Sequence, residues 1–470
     1  MTFFTSKELA GAIRGELGEN VYLCYQCKKC TSGCPVADEM DLVPNQVMRS
    51  LQLGRDQRAL DSITPWLCAS CQTCVTRCPQ NIDIPRIMDF LKITSQARGI
   101  KARIPAVSIF NQAGVRSMQL FGRLYELGVL GELKLRTMNF TEDVDLGLKL
   151  LARGKLKVFP SIARYARSRR PAPPPSLRAK SVAYFPGCSL HSTAVEYDMS
   201  TRAVAKLLGL ELREPKGWVC CGSSPGHAVS HEFATAQPMK NLALVAQGGN
   251  DEVTMPCAAC FSRFKTAVYD VQREPGLKAK VAEEVGYSYD GQIKVSHLLD
   301  VFLSRVGLPA IRAAVKSPLT GMKVVCYYGC LLTRRPEVTE ADHPEYPMRM
   351  DRLVEALGTE ALDWSYKTDC CGGSLALTRA ETARRLSSKI LQNARDVGAQ
   401  AIVVGCSLCH VNLDTRQEQM AKKWGLAYDL PIIYFTQLIG LAYGLDPKAL
   451  GLFKHFVSPE RLLAQVAASG

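Results

Sequence analysis

The sequence predicts a mixed α plus α/β protein: a small helical unit at the N-terminus, then two duplicated α/β modules. Three observations predict it. One cysteine run occurs twice before residue 80 with identical spacing. A different five-cysteine pattern occurs twice after residue 180. Around those later cysteines, short β-branched runs alternate with helical stretches, which is the pattern of a parallel sheet.

The first unit covers residues 1–99. Its duplicated run is Cys24-x-x-Cys27-x-x-Cys30-x-x-x-Cys34-Pro35, repeated as Cys68-x-x-Cys71-x-x-Cys74-x-x-x-Cys78-Pro79. Between the two lie Leu42, Val43, Val47, Met48, Leu51 and Leu53 at near-helical spacing. After the second, Pro85 opens a stretch with Ile87, Met88, Leu91 and Ile93 that ends near Gly99. The run is that of two-cluster bacterial ferredoxins, in which the fourth cysteine of each run ligates the other cluster. Cys24, Cys27, Cys30 and Cys78 are therefore assigned to one [4Fe–4S] cubane, and Cys68, Cys71, Cys74 and Cys34 to a second. Zinc knuckles usually lack the third cysteine and the terminal Cys-Pro, so the spacing favours iron–sulfur over zinc.

Residues 100–180 read as a helical connector, with glycine interruptions to Leu156, followed by an extended linker over Pro160–Lys180 containing Pro171-Ala-Pro-Pro-Pro175. The net charge of +14 is concentrated here: Lys149–Lys180 holds ten Lys or Arg and no acidic residue. This run reads first as a solvated linker, and second as a surface for an acidic partner or a membrane-bound subunit. No stacking platform interleaves it, which argues against nucleic acid. At 470 residues, the chain should divide into about three units. No stretch approaches 18 apolar residues, and residues 1–18 lack an apolar signal core. A cytoplasmic protein, reaching a membrane only through a partner, is expected; its thiols would then more often bind metal than form disulfides.

The α/β modules are expected at 181–308 and 322–444, joined by Pro309–Gly321 and followed by a tail, 445–470. Strands are expected at Ser181–Phe185, Glu252–Met255, Met322–Tyr328 and Ala401–Val404, with helices such as Ala194–Leu208 and Ala383–Val397 between them. Each strand is followed within three residues by a cysteine: Cys188, Cys257, Cys330 and Cys406. In parallel α/β sheets, ligands collect beyond the carboxyl ends of strands. The first pattern is Cys188, Cys220-Cys221-Gly222 and Cys257-x-x-Cys260; the second is Cys330, Cys370-Cys371-Gly372 and Cys406-x-x-Cys409. Adjacent cysteines point in different directions, and the glycine after them permits a backbone that a side chain would block. Five thiolates exceed what a cubane or zinc needs, suggesting a larger or more open cluster.

Residues 181–444 resemble the catalytic B-type subunit of heterodisulfide reductases. The matching motifs are Tyr184-Phe-Pro-Gly-Cys188, Trp218-Val-Cys-Cys-Gly-Ser223, Tyr327-Tyr-Gly-Cys-Leu-Leu332, Asp369-Cys-Cys-Gly-Gly-Ser374 and Cys406-x-x-Cys-His-Val-Asn-Leu-Asp414. Residues 20–99 resemble the electron-carrying C-type subunit, through Cys24-Tyr-Gln-Cys-Lys-Lys-Cys30 and Asn45-Gln-Val-Met48. The chain is thus similar to a fusion of the two, as in the D-type subunit. The resemblance implies a noncubane [4Fe–4S] cluster on each five-cysteine set, so that those ten cysteines are the ligands of the catalytic clusters. It implies that a small-molecule disulfide binds between the two clusters and takes one electron from each, supplied through the two cubanes. No strand-to-helix Gly-x-Gly-x-x-Gly is present, so no flavin or NAD on this chain is expected. Electrons would come from a flavin-bearing A-type subunit or a b-type cytochrome. Two other readings remain: the iron–sulfur subunit of a flavin-linked glycolate, lactate or glycerol-3-phosphate dehydrogenase, and a non-catalytic electron relay.

Outside these sets, Cys326 reads as a buried free thiol. His410 either hydrogen-bonds sulfur, delivers a proton, or is a satisfied polar neighbour. His191, His227 and His231 are not read as ligands. The polar segment Thr333–Met350, with Arg334, Arg335, His343 and Tyr346, is a candidate lining for a cleft that binds anionic groups.

Overall fold

A computed structural model describes residues 9–167, 181–425 and 428–469. Two four-stranded, all-parallel sheets form the centre. The first runs β2-β1-β3-β4, with β1 Ser181–Tyr184, β2 Glu211–Arg213, β3 Glu252–Met255 and β4 Lys294–His297. The second repeats this order as β6-β5-β7-β8, with β5 Lys323–Tyr327, β6 Glu360–Ala361, β7 Ala401–Val404 and β8 Ile432–Tyr434. The inner strands β1, β3 and β7 are buried throughout, and β5 is buried beyond Lys323, as sheets covered on both faces require. In each sheet the order reverses between the two central strands, which makes their carboxyl ends a topological switch point.

All four expected strands form within a residue or two of their expected ends. The other four were not expected. β2 and β6 are short, partly exposed edges, and β4 and β8 are too brief to show alternation. The two modules share one continuous core that includes both sheets.

The N-terminal unit is helical and has a core of its own, with Val47, Met48 and Leu51 meeting Ile87, Met88 and Leu91. Asp83 caps the Ile84–Ala97 helix by accepting from the Arg86 N–H at 3.0 Å, and Pro85 stands in its first turn, where a missing N–H costs nothing. The expected helix to Leu156 is instead three helices, Pro105–Phe121, Glu126–Thr137 and Val144–Ala152. Gly122 turns the chain after the first of them with φ +72°, and a Cβ there would lie 1.9 Å from the Ala163 carbonyl oxygen.

The described part of the expected linker follows the first module closely. The Ala163 N–H donates to Phe121 O (2.8 Å), Tyr165 OH to Val285 O (2.9 Å), and Arg167 Nε to Glu284 O (2.8 Å). The Pro171–Pro175 run lies outside the described residues. The expected tail also returns to the core: Leu450 and Leu452 are buried, and the Phe456 and Val457 N–H groups donate to Asp414. Among the described residues, no helix is long and apolar enough to cross a membrane.

The N-terminal unit docks on both modules through polar contacts. Glu39 accepts from Arg379, Thr382 and Arg385 of the second module. Arg86 pairs with Glu274 at 2.7 Å, and His227 Nδ1 lies 2.6 Å from Asp89 Oδ2, both on the first. Val36 with Leu375 and Leu386 forms a small apolar seam beneath.

Candidate metal centres

The two N-terminal runs fold alike. Gln26 and Lys28 flank Cys27 with left-handed φ of 62° and 63°, and Ser70 and Gln72 flank Cys71 with 51° and 61°. Such backbone costs about 1–3 kcal/mol per residue and persists where the surroundings over-determine it. Here it wraps each loop around a small cavity. Cys24, Cys27, Cys30 and Cys78 line one of about 20 Å³. Cys34, Cys68, Cys71 and Cys74 line another of about 30 Å³. The fourth cysteine of each run thus joins the other run's cavity. Neither lining contains a carboxylate or an imidazole, so the donor set is thiolate alone, which suits iron–sulfur or zinc. Burial pushes Cys30 and Cys68 up to about 11 and Cys34 to about 12, so loading a metal must expel protons.

The module cysteines stand at the switch points. Cys188 and Cys257 follow β1 and β3; Cys330 and Cys406 follow β5 and β7. In the first module, Cys220 sits beside Cys188, while Cys221 Sγ turns the other way to within 3.2 Å of Cys260 Sγ. In the second, Cys370 meets Cys330, and Cys371 Sγ lies 3.8 Å from Cys409 Sγ. Gly222 and Gly372 adopt φ of +91° and +77° to splay the pairs. Hydrogen bonds from Cys220 and Cys260 pull Cys221 down to about 5, and the Cys409 contact holds Cys371 at about 7. All five second-module cysteines line one cavity of about 50 Å³. Five sulfurs exceed the four of a tetrahedral zinc site, so the residues fit a larger iron–sulfur group.

Two contacts join these sets. Across the seam between modules, the Cys257 and Cys406 thiols are near enough to perturb each other's titration, and Ser189 Oγ lies 2.9 Å from Ser407 Oγ. At the interface with the N-terminal unit, the Cys71 and Cys370 thiols are near enough to perturb each other's titration. Cys27 is the exposed end of this chain of sulfurs, beside exposed Tyr25.

His297 is a positioning residue that the sequence did not disclose. It ends β4, fully buried, and its Nε2 lies 3.0 Å from Pro256 O and 2.9 Å from Gly405 O. Those carbonyls immediately precede Cys257 and Cys406. Its Nδ1 accepts from the Leu299 N–H at 3.2 Å, which fixes the proton on Nε2. A lone histidine after an apolar run carries no pattern that would have found it.

Arg334 and Arg335 do not line a cleft. Arg334 is buried and donates to Thr73 (2.5 Å) and Thr368 (3.1 Å), and Arg335 pairs with Asp83 at 2.5 Å. Both therefore tie the second module to the N-terminal unit. His343 Nδ1 accepts from the Tyr346 N–H at 2.7 Å within its own loop. A cavity of about 660 Å³ lies elsewhere, between Arg86 and Phe90 of the N-terminal unit and His231 and Asp270 of the first module. Its wall shares His227 and Arg263 with the second-module cysteine cavity. Arg263, half-buried three residues after Cys260, has no ion-pair or hydrogen-bond partner among the described residues.

Cys326 is buried inside β5, and burial raises its thiol well above the ordinary range. His410 is buried and stacks on Tyr434 at 4.2 Å, with Nδ1 3.7 Å from Glu196 Oε1. With Asp414 and His455 it could crowd a metal ion, since their ligand atoms lie within 4.8 Å of one another. Two observations weigh against one. Gln437 Nε2 donates to His455 Nε2 at 2.9 Å, placing the proton on Nδ1, and the buried Lys155 ammonium already meets Glu196 at 2.7 Å.

Comparisons with known proteins match both kinds of cysteine-rich segment. The Cysteine-rich domain family matches residues 182–265 and 324–414, and the 4Fe-4S dicluster domain matches 23–83. A B-type heterodisulfide reductase-like protein of Archaeoglobus profundus is 30% identical over 274 residues, 56% of this chain and 91% of the relative. The chain belongs to the heterodisulfide reductase B- and C-type family. Its N-terminal unit is 36% identical over 84 residues to the C-type iron-sulfur subunit of the CoB–CoM heterodisulfide reductase of Methanopyrus kandleri, 18% of this chain and 41% of the relative. The 8-methylmenaquinol:fumarate reductase membrane anchor subunit of Wolinella succinogenes is 31% identical over 286 residues, 60% of this chain and 99% of the relative. A crystal structure of a hypothetical protein from Helicobacter pylori shares the fold, with a TM-score of 0.56 at 12% identity over 97% of this chain and 80% of that one. This member of the family is an iron–sulfur oxidoreductase subunit with the B-type and C-type parts on one chain.

Proposed function

We propose that the chain reduces a small-molecule disulfide to two thiols at the seam between its two Cys-Cys-Gly modules. The balance is one S–S bond, two electrons and two protons consumed for two thiols formed. The observation that carries this is the run of sulfur contacts, Cys71 to Cys370 and Cys257 to Cys406, which supports electron entry from the N-terminal unit and an even split across the seam. Two cubanes on the N-terminal sets and two noncubane [4Fe–4S] clusters on the five-cysteine sets would supply one-electron chemistry when bound.

The chain's own residues do the rest. Cys24, Cys27, Cys30 and Cys78 hold the outer N-terminal site, and the exposed Tyr25 beside Cys27 suits contact with an electron-donating subunit. A flavin-bearing A-type subunit or a b-type cytochrome would serve as donor. Cys34, Cys68, Cys71 and Cys74 hold the inner site against Cys370. Cys188, Cys220, Cys221, Cys257 and Cys260 face Cys330, Cys370, Cys371, Cys406 and Cys409 across the seam that His297 ties together. The 660 Å³ cavity is the approach for substrate, and the unpaired Arg263 at its inner wall meets an anionic substituent on it. The working units are 1–99, 181–308 and 322–444, with the described parts of 100–180 and 445–470 bracing them.

The test is anaerobic. Oxidised protein mixed with a disulfide and its thiols should give a paramagnetic species absent from either alone, and an artificial electron donor should drive thiol release. No new species and no turnover would overturn the proposal. A second reading has its own observation: the Wolinella relative, at 31% identity over 99% of its length, is named for a menaquinol:fumarate reductase. A relay within such a complex would show cluster reduction without thiol release.

A further inference from the structure

The connector exposes an apolar face that nothing in the redox reading uses. Ten of the eighteen exposed large apolar side chains among the described residues fall between Leu120 and Ile162, 43 of the 470 residues. The Val144–Ala152 helix is apolar on two sides. Leu146 and Leu150 turn inward onto Leu127 and Phe456. Val144, Leu148 and Leu151 form a second stripe at i, i+4 and i+7 and are exposed, Leu148 by 62%. A helix apolar on both faces has a partner for each, and here one face is open. The strap that follows continues it with Val158, Ile162 and Phe159, the last exposed by 81%. Phe453 adds to the edge, because Lys454 beside it donates to Arg153 O at 2.9 Å, next to the helix end.

The charge beside this face is mostly positive. Between Val144 and Arg167 there are six Lys or Arg, of which Lys155 is buried against Glu196, and a single acid, Asp145. Arg164 is exposed and has no partner among the described residues, and Lys149 meets Glu418 only at the surface. Interleaved cations and exposed Leu and Phe are the composition of an interfacial segment on anionic lipid, whereas the cores of protein interfaces are depleted of Lys. The exposed stripe spans only about 10 Å of helix, enough to enter a headgroup layer and short for seating in a partner's groove. We propose that this face binds the surface of an anionic phospholipid bilayer directly, so that the chain lies on the membrane through its own residues.

Flotation of the full chain tests this, with vesicles of phosphatidylcholine alone or with about a third phosphatidylglycerol. Binding is expected on the anionic vesicles and not on the neutral ones. Raising NaCl to about 0.5 M should lower it at least about fivefold. Leu148→Ser with Leu151→Ser should lower it about tenfold, with iron content and circular dichroism unchanged. Phe159→Ser and Arg164→Glu, placed on the strap rather than the helix, give the same answer should the double variant misfold. No flotation, equal flotation on neutral vesicles, or flotation indifferent to these variants overturns the proposal. Loss of a co-purifying subunit in the variants, with wild type ignoring vesicles, makes the face a protein interface and also overturns it.

Discussion

His297→Leu isolates the tie between the two modules. In the wild type, one imidazole caps the helix after β4 through Nδ1 and donates through Nε2 to the carbonyls preceding Cys257 and Cys406. Losing the cap costs about 1 kcal/mol. Leaving the two buried carbonyls without their donor adds about 1–3 kcal/mol. Leucine fills a similar volume, so the cavity contribution is small. The expected loss is therefore about 2–4 kcal/mol in urea unfolding followed by circular dichroism. His297→Gln, which keeps a donor of similar reach, should recover about half of it. A loss below about 1 kcal/mol for the leucine variant, or no difference between the two variants, would refute the claim that this side chain holds the cysteine loops together.

Three further outcomes follow from the same geometry. Gly372→Ala should destabilise by about 2–4 kcal/mol, because its Cβ would lie 2.9 Å from Ala383 Cα at φ +77°; Gly222→Ala meets nothing nearer than 3.9 Å and should cost only about 1 kcal/mol, so equal losses in thermal melts would contradict the packing argument. Glu39→Ala removes the acceptor of Arg379, Thr382 and Arg385 and should loosen the N-terminal unit by about 1–3 kcal/mol, read as faster hydrogen exchange over residues 35–40 and 379–386 and nowhere else. Burial pushes His455 down to about 3 against about 6.5 unfolded, so its contribution is full above pH 6.5 and is lost as pH falls, about 2 kcal/mol by pH 5; His455→Gln should flatten that slope in urea titrations at pH 7 and pH 5.

How much could be read in advance follows the physics of each feature. Cysteine spacing is covalent and local, so both N-terminal sets, their crossing and the splaying of Cys220-Cys221 and Cys370-Cys371 were legible. The inner strands β1, β3, β5 and β7 are apolar runs ending at cysteines, and they were legible too. β2 and β6 were hidden because edge strands of two or three residues leave no alternation. Arg334 and Arg335 were misread as cleft residues because a sequence shows charge but not the Thr73 and Asp83 that meet it from another unit. The same limit hid His297 and the contacts Cys71–Cys370 and Cys257–Cys406, which depend on how three units come together.

The most direct test of the account is iron and acid-labile sulfide per chain, measured on wild-type protein purified without oxygen. All eighteen assigned cysteines in use predict about 16 of each, four per cluster. A value near about 8 would mean that only the N-terminal pair is loaded, and the proposed catalytic seam would be contradicted.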